Sequence, residues 1–361
     1  MKQNQQVPYW KPLAVLQKEN RPADADIYAA CLARFDRVAK PLGGLGELEP
    51  LLARVAAAQH DVLPDVSRKA LLVFCADNGV VEEGVTQCGP EVTTAIARMM
   101  AAGRSSVCVM ARTAGAQVFP VDVGMRETVP GLAAHKFSCG TENILHGAAM
   151  SRETAIAAIE LGAAMAAARR EEGYCLLATG EAGIGNTTTA AAMAAVLLEQ
   201  SVEAVTGRGA GLSDEGLRRK QEVIRGAIAV NRPDASDPLD VLSKLGGLDI
   251  AAMTGAFLGA AAAGLPVVMD GVISAVAALC AVRLQPATRD YILPSHLGAE
   301  PAAGLLCREL GFAPILHAAM RLGEGTGAVA LFPLLDQAAA VYHQAATFAD
   351  IAVAQYERFS C

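Results

Sequence analysis

Residues 174–189 read YCLLATGEAGIGNTTT: an apolar run, a glycine-rich turn and the threonine-rich start of an alanine-rich stretch. The apolar run, Tyr174–Thr179, does not alternate polar and apolar residues, which is typical of a parallel strand covered on both faces. The alanine-rich stretch predicts a helix. A strand that passes through a short turn into a helix is half of a βαβ unit, from which doubly wound sheets are built.

The same alternation of apolar runs and helical stretches continues on both sides of this segment. Further strands are predicted at Ala70–Ala76, Gln117–Asp122, Pro266–Met269 and Tyr291–Pro294. Helices are predicted over about residues 91–115, 151–171, 187–200, 213–230, 248–263 and 272–283. The sequence therefore predicts an α/β fold with a doubly wound, mostly parallel, Rossmann-like sheet.

The two chain ends show helical patterns only. Helices are predicted over Asp24–Val38, Gly46–Gln59, Glu300–Leu310 and Gly327–Thr347. We expect residues 1–65 and 301–361 to form a small helical subdomain beside a parallel α/β catalytic domain at residues 66–300. The alternative is that these helices pack as extra layers on the main core.

The composition limits the class of protein. Of 361 residues, 53% are hydrophobic and 19% are charged, which is typical of a globular chain. The net charge of −7 argues against a surface that binds nucleic acid. The nine cysteines have no CxxC spacing, and several lie in apolar runs, which predicts reduced, mostly buried thiols. The six histidines have no metal-binding spacing, so we expect no metal site.

Two segments bear on export and membrane insertion. Met1–Gln6 lacks a basic region followed by an apolar one, so we expect no secretion signal and a cytoplasmic protein. Residues Ile250–Met269 carry no charge and are long enough to span a bilayer. Gly264 and Pro266 divide this stretch, which favours a buried helix followed by a core strand.

The glycine-rich turn that follows the strand at Tyr174–Thr179 is a candidate anion site, because open parallel sheets bind ligands beyond the carboxyl ends of their strands. Backbone N–H groups in the turn and the start of the next helix favour a phosphate. The candidate contacts are Gly183, Gly185, Asn186, Thr187 and Thr188. A simple turn with a helix cap is the alternative, and the segment is neither a Walker A loop nor a dinucleotide fingerprint.

A second glycine-rich segment, residues 206–214, contains Gly207 and Gly209 and precedes a helix with three cations. These cations are Arg218, Arg219 and Lys220. One of them could reach a phosphate or carboxylate from the inner face of the helix. The charge pattern alone favours a solvated basic face.

Residues 322–327 read LGEGTG and place the carboxylate of Glu324 between two glycines, ahead of an apolar helix. A carboxyl group among apolar neighbours has a raised pKa and can act as a general base near neutral pH. A helix-terminus carboxylate that stabilises the helix dipole is the alternative. Another turn, Asp77-Asn78-Gly79, directly follows the first predicted strand, where a ligand is also expected. A simple turn without a ligand is the alternative.

These segments belong to an ordered series of motifs, which comprises Lys40–Gly46, Ala76–Gly79, Val121–Gly124, Gly147–Arg152, Gly180–Glu181, Gly185–Thr188, Val241–Gly247, Asp270–Gly271, Pro294–His296, Ala299–Glu300 and Leu322–Gly327. Over about residues 30–350 the series resembles the nicotinate-nucleotide:dimethylbenzimidazole phosphoribosyltransferase family. The resemblance implies a dimeric enzyme with a parallel α/β domain and a small subdomain. It also implies a neighbouring subunit that helps to complete each active site.

The resemblance implies that 5-phosphoribose moves from nicotinate mononucleotide to an aromatic base. It makes Glu324 the general base and Glu181 a second active-site carboxylate. The phosphate and ribose are then held by the two glycine-rich loops, with Lys220 as a phosphate partner. No pyrophosphate leaves in this reaction, so the resemblance implies neither a metal nor a cofactor.

The resemblance assigns the base pocket to Asp77, Cys88, Ile96 and Leu322. Family members that use dimethylbenzimidazole carry serine and glutamine at the positions of Cys88 and Ile96. Some relatives attach phenol or p-cresol and work as pairs of related, non-identical subunits. Both the acceptor base and the choice between a homodimer and a heterodimer therefore stay open.

Two other functions compete with the transferase. A Rossmann-type oxidoreductase predicts a G-x-G-x-x-G motif after the first strand, where Asp77-Asn78-Gly79 stands instead. A poorly active partner subunit predicts loss of the reactive carboxylates, whereas Glu181 and Glu324 are both present.

Overall fold

The computed structural model describes residues 7–357, and within this range it contains a six-stranded, all-parallel sheet. The strands are β1 (Lys69–Ala76), β2 (Ala116–Gly124), β3 (Ala133–Ala134), β4 (Leu176–Ala182), β5 (Val267–Met269) and β6 (Ile292–Pro294). Their spatial order is β3-β2-β1-β4-β5-β6. The chain thus winds outward from β1 in one direction and returns to wind outward from β4 in the other, so the doubly wound prediction is confirmed.

Fourteen α-helices accompany the sheet in the described part of the chain. They are α1 (Leu13–Glu19), α2 (Ala25–Arg37), α3 (Leu48–Gln59), α4 (Glu91–Ala101), α5 (Ser106–Thr113), α6 (Arg152–Glu171), α7 (Asn186–Leu197), α8 (Val202–Val205), α9 (Asp214–Asn231), α10 (Pro238–Leu245), α11 (Leu248–Ala262), α12 (Val272–Leu284), α13 (Ala302–Glu309) and α14 (Thr326–Gln344). Short 3-10 helices cover Gly79–Glu83 and Pro286–Tyr291.

Two hydrophobic clusters cover the two faces of the sheet. Strand β1 is buried along its whole length, and successive side chains alternate between the clusters: Leu72 and Phe74 enter one, Leu71 and Val73 the other. The first cluster includes residues of α6, α7 and α10 to α12, and the second includes residues of α3 to α5 and α14. Burial on both faces explains the unbroken apolar run that predicted a parallel strand.

Several elements differ from the sequence prediction. The helix predicted over residues 91–115 is two helices, because Gly103 adopts a left-handed conformation (φ +65°) and Ser105 caps α5 by accepting from the N–H of Cys108. Strand β4 begins later than predicted and runs on to Ala182, so Gly180 and Glu181 belong to the strand. The predictions missed α1, α8, α10 and the exposed two-residue strand β3.

The uncharged stretch Ile250–Met269 forms most of α11 and all of β5, as predicted. Its small residues serve close helix packing, since a Cβ at Gly255 would overlap the backbone of Ile159 in α6. A Cβ at Gly162 of α6 would likewise overlap the carbonyl of Ala252. Within residues 7–357, none of the helices combines the length and the apolar character that a bilayer crossing needs.

Helices from the two chain ends meet on one face of the sheet. Helix α3 packs against both α2 and α14, and a β-bridge joins Val38 to Thr347. Helix α13 packs instead against α12 of the main sheet layer. The division into residues 1–65 with 301–361 and residues 66–300 stays a prediction.

Eight cysteines fall within the described residues, and all eight are free. Six of them are buried, Cys88 is partly exposed and Cys139 is exposed, which confirms mostly buried thiols in this part of the chain. Cys361 and the N-terminal segment Met1–Gln6 lie outside the described residues.

Candidate active site

A cavity of about 340 Å³ opens beyond the carboxyl ends of β4, β5 and β6. This is the edge at which a doubly wound sheet binds ligands. Ten predicted site residues line the cavity: Cys88, Ile96, Glu181, Gly183, Gly185, Asn186, Thr187, Gly209, Leu322 and Glu324. Residues distant in sequence thus line one cavity.

Glu181 lies at the end of β4 and is only 8% exposed. The side-chain amide of Asn186, in the first turn of α7, donates one hydrogen bond to Glu181 and one of 2.9 Å to Asp249. Burial raises the pKa of Glu181 to about 8, and the negative charge of Asp249 adds to the increase. One amide therefore holds two buried carboxyl groups close together.

Asp249 is fully buried in the first turn of α11. Burial raises its pKa to about 6, although the hydrogen bond from Asn186 works in the opposite direction. Two neighbouring acids with raised pKa values titrate as a coupled pair. The protonation of Glu181 therefore depends on the charge of Asp249.

Glu324 is held in an uncommon backbone conformation. Its φ is +61°, and Gly323 (φ +78°) and Gly325 (φ +84°) on either side are also left-handed. Such a conformation costs a non-glycine residue roughly 1–3 kcal/mol and persists only where the surrounding structure imposes it. The backbone of this loop is shaped to place this particular carboxylate.

Asp270, which follows β5, anchors the Glu324 loop to the sheet. Its carboxylate accepts hydrogen bonds from the backbone N–H groups of Gly325 (3.2 Å), Gly327 (2.8 Å) and Ala328 (3.0 Å). These groups belong to the start of α14, where a carboxylate satisfies free N–H donors and interacts favourably with the helix dipole. Asp270 therefore performs the helix-terminus role that the sequence left open for Glu324.

The carboxyl group of Glu324 is 8% exposed, and none of residues 7–357 offers its Oε2 atom a hydrogen bond. Burial raises the pKa of Glu324, and the negative charge of Asp270 raises it further. The backbone N–H of Val107 works in the opposite direction. A buried carboxyl group that lines a cavity and has an oxygen without a hydrogen-bond partner among the described residues is suited to exchange a proton with a ligand.

Two glycines allow the segments that carry Glu181 and Glu324 to meet. A Cβ at Gly180 would lie 2.7 Å from the backbone carbonyl of Glu324, and a Cβ at Gly323 would overlap the Glu181 carboxylate. Any larger residue at either position would push the loop away from β4. The glycines beside both acids are therefore needed for the geometry of the site.

The glycine-rich loops form the other side of the cavity. Gly185 (φ +94°) directly precedes α7, and Thr187 in the first turn of α7 accepts a 2.8 Å hydrogen bond from the ammonium group of Lys220. Lys220 is fully buried, and burial lowers its pKa to about 8. The cation thus lies behind Thr187, at the helix N-terminus that favours an anion.

Four predicted site residues, Asp77, Thr188, Gly207 and Lys220, are absent from the cavity lining. Asp77 is 1% exposed and accepts a 2.7 Å hydrogen bond from the backbone N–H of Arg126, so it holds the loop after β2. Thr188 is fully buried within α7. Gly207 is separated from the cavity by the carboxylate of Glu300.

Four residues near the site, Asp249, Asp270, His296 and Glu300, are not among the predicted site residues. Asp270 and His296 follow β5 and β6, so the position of ligands at strand ends could have indicated both. Asp249 shows no such signal, because acidic residues are common in the first turn of a helix, where they interact favourably with the helix dipole.

A family model described as phosphoribosyltransferase matches residues 20–353, most of the chain. The chain belongs to this family. The resemblance carried by the motifs is thereby confirmed, and so is the assignment to the phosphoribosyltransferases.

Curated relatives of this phosphoribosyltransferase are similar over nearly their whole length. The nicotinate-nucleotide–dimethylbenzimidazole phosphoribosyltransferase of Acetivibrio thermocellus is 46% identical over 326 residues, which are 90% of this chain and 93% of the relative. The protein of the same name from Geobacter sulfurreducens is 42% identical over 337 residues, covering 92% and 96%. The crystal structure of CobT from Thermus thermophilus has a TM-score of 0.86 and 39% identity, covering 92% of this chain and 100% of the other.

Proposed function

We propose that this phosphoribosyltransferase moves 5-phosphoribose from nicotinate mononucleotide to an aromatic base. The products are nicotinate and an α-linked nucleotide for cobalamin-type cofactors. The observation that carries the proposal is the pair of buried carboxyl groups, Glu181 and Glu324, in one cavity beside a helix N-terminus and a buried lysine. The names of the relatives support the donor and the class of acceptor.

The chemistry requires one anionic and one proton-accepting group. As nicotinate leaves, the ribose carbon develops positive charge, which the ionised carboxylate of Glu181 stabilises. The incoming base attacks from the opposite face, which gives inversion to the α anomer. Glu324 takes the proton that the base loses.

Binding of nicotinate mononucleotide should change the charge of Glu181. At a pKa of about 8, Glu181 is mostly protonated at neutral pH in the empty site. A substrate with a positive pyridinium ring favours the ionised carboxylate, so binding of nicotinate mononucleotide lowers this pKa. The donor therefore prepares the charge that stabilises its own transition state.

We propose that the phosphate is bound between Gly185–Thr188 and Gly207–Gly211, with Lys220 as its cationic partner. Thr187 and Gly209 line the cavity, and a Cβ at Gly209 would lie 3.6 Å from the ammonium nitrogen of Lys220. Backbone N–H groups, a helix N-terminus and a buried cation together favour a phosphate.

The proposal for the acceptor rests on Cys88 and Ile96, which line the cavity together with the apolar residues Val85 and Val92. Burial raises the pKa of the Cys88 thiol, and the nearby charge of Glu91 raises it further, so the group is neutral. A thiol is a weak hydrogen-bond partner for a ring nitrogen. We therefore propose that phenolic acceptors are used at least as well as dimethylbenzimidazole.

One assay tests both the reaction and the acceptor. The purified protein is given nicotinate mononucleotide with dimethylbenzimidazole, adenine, phenol or p-cresol, and each product is identified by mass. Formation of a ribotide with any of these bases supports the transferase. A strict requirement for benzimidazoles contradicts the role of Cys88 and Ile96, and no product with any base favours a poorly active partner subunit.

We further propose a cytoplasmic dimer, formed with a second copy or with a related subunit. Leu322 lies at the cavity and is 54% exposed, so a neighbouring subunit that covers it would also close the site. The charge of −7 and the composition agree with a partner other than nucleic acid or membrane. Light scattering of the purified chain, alone and co-expressed with a related subunit, measures the assembly.

A further inference from the structure

Glu300 places a carboxylate among groups that favour anions. Its Oε1 atom accepts a 2.9 Å hydrogen bond from the backbone N–H of Gly209, and the residue lines the cavity. A Cβ at Gly207 would overlap the same carboxylate. The glycine-rich loop therefore lies directly against Glu300, and its composition permits this approach.

The buried ammonium group of Lys220 responds to the same carboxylate. Burial lowers the pKa of Lys220, whereas the negative charge of Glu300 works to raise it. Lys220 donates to Thr187, and Gly209 packs against this pair, since a Cβ there would lie 2.9 Å from the hydroxyl oxygen of Thr187. The N–H of Gly209, the cation and the start of α7 thus surround one small region, and Glu300 supplies its negative charge.

We infer that Glu300 is a built-in competitor for the anion site, whose carboxylate the phosphate of the substrate must displace. This inference rests on the proposed function, which puts the phosphate between the two glycine-rich loops. One N–H cannot donate fully to two acceptors, and a carboxylate next to a phosphate dianion repels it. Glu300 is partly exposed, so its side chain can rotate towards water when it is displaced.

Competition by Glu300 makes the anion site selective for a phosphate dianion. While the site is empty, Glu300 satisfies the loop N–H and balances the buried charge of Lys220. A weakly held monoanion gains little by replacing a carboxylate. A phosphate dianion gains more, because it carries more charge and more acceptor oxygens. Glu300 therefore sets both the affinity and the selectivity of the anion site.

The test is the binding of inorganic phosphate to the full-length protein, measured by titration calorimetry at constant ionic strength. Glu300→Gln keeps the shape and an acceptor oxygen for Gly209 but removes the charge. We expect phosphate to bind about five- to tenfold more tightly, because the competing hydrogen bond changes from a charge-assisted one to a neutral one. KM for nicotinate mononucleotide should fall in the same direction.

Glu309→Gln is the matched control. Glu309 ends α13 and forms an exposed ion pair with Arg283, so its substitution removes the same charge outside the cavity. This variant should bind phosphate like the wild type. If Glu300→Gln proves unstable by its melting temperature, Glu300→Ala supplies the same comparison, with tighter phosphate binding again expected.

The outcomes separate this inference from the proposed function. Unchanged or weaker phosphate binding by the Glu300 variants overturns the inference. An equal increase in phosphate affinity in the Glu309 control also overturns it, and so does undetectable phosphate binding by every variant. Tighter binding by the Glu300 variants supports the inference. If that gain is seen while the wild type transfers ribose to no acceptor, the proposed activity of this chain fails and the competitor role of Glu300 stands.

Discussion

Glu324 combines a strained backbone, a buried carboxyl group and an oxygen without a hydrogen-bond partner among the described residues. We predict that Glu324→Gln keeps the fold and the substrate KM values but lowers kcat by about 10²–10⁴-fold, the usual contribution of a general base. The loss should be smaller with an acceptor that ionises readily in solution. Melting temperature and kcat are measured on one preparation.

A purely structural role for Glu324 makes the opposite prediction. A carboxylate that only stabilises a helix terminus contributes roughly 0.3–1 kcal/mol to stability and nothing to kcat. The start of α14 already receives the carboxylate of Asp270. A variant with wild-type kcat and a lowered melting temperature would remove Glu324 from the mechanism.

The protonation of Glu181 depends on groups from several elements. Asp249 of α11, Asp270 after β5 and Glu324 before α14 all raise its pKa, whereas Asn186 lowers it. The negative charge of Glu181 in turn contributes to the raised pKa of the buried Cys75 thiol on β1, for which burial is the main cause. We predict that Asp249→Asn lowers the pKa of Glu181, because among these charged groups Asp249 raises that pKa the most.

Asp249→Asn should also change the pH dependence of activity. If the ionised Glu181 stabilises the transition state, activity rises with pH as this carboxyl group loses its proton. The acidic limb of the kcat/KM profile should therefore move to lower pH in Asp249→Asn, towards the ordinary value for glutamate. A loss of activity with an unmoved limb would indicate that Asp249 only supports packing. Asp240→Asn, which removes an acid paired with Lys244 outside the cavity, is the control.

At the residue level, the sequence identified the acids that lie next to glycines and missed those that lie alone. Glu181 and Glu324 stand out because a carboxylate beside glycines needs a reason. Asp249 and Glu300 look like ordinary helix-start residues, and their partners are 63 and 91 positions away along the chain. Contacts of this kind depend on the folded sheet, and no local pattern encodes them.

At the level of elements, strand β4 and the loop before α14 depend on each other through Gly180. A Cβ at this position would lie 2.7 Å from the backbone of Glu324 and Gly325. We predict that Gly180→Ala destabilises the protein by about 1–3 kcal/mol, as overpacking typically does, and lowers kcat because it displaces Glu324. Chemical denaturation and steady-state kinetics measure the two effects.

Gly147→Ala is the matched control for this substitution. A Cβ at Gly147 meets nothing within 4 Å among the described residues, so the free energy of unfolding should change little. Equal destabilisation by both substitutions would mean that the contact between β4 and the Glu324 loop is not what Gly180 provides. Loss of kcat in Gly180→Ala alone, at unchanged stability, would still support the positioning of Glu324.

The same contact explains which elements the sequence could predict. Long apolar runs and alanine-rich stretches placed five of the six strands of the described chain and the principal helices. The end of β4 was misplaced because Gly180 is typical of a turn, whereas in the folded chain it allows a strand to pass beneath a loop. The break between α4 and α5 was missed because Gly103 and Ser105 interrupt an otherwise helical pattern only briefly.

At the level of the whole molecule, the sheet order brings the acids together. Glu181 lies near the end of β4, and Asp270 follows β5. Asp249 lies at the start of α11, the helix before β5, and Glu324 precedes α14, which comes after β6. These elements lie next to one another because the strands run parallel, with all carboxyl ends at one edge. The buried charges are compensated by amide and backbone N–H donors that the fold supplies, as Asn186 and Asp270 illustrate.

This arrangement leads to a prediction about metals. Nicotinate leaves through a ring nitrogen that becomes neutral as the bond breaks, so its departure creates no new negative charge for a metal to neutralise. The phosphate stays attached to the ribose, and Lys220 with the loop N–H groups balances its charge. We therefore predict that turnover by the wild-type protein is unchanged by EDTA.

Initial rates are compared before chelation, after it, and after Mg²⁺ is restored in excess, and the Glu324→Gln variant sets the background. A rate that falls on chelation and recovers with Mg²⁺ would contradict charge stabilisation by protein groups alone, because a metal would then carry part of the role proposed for Lys220 and Glu181.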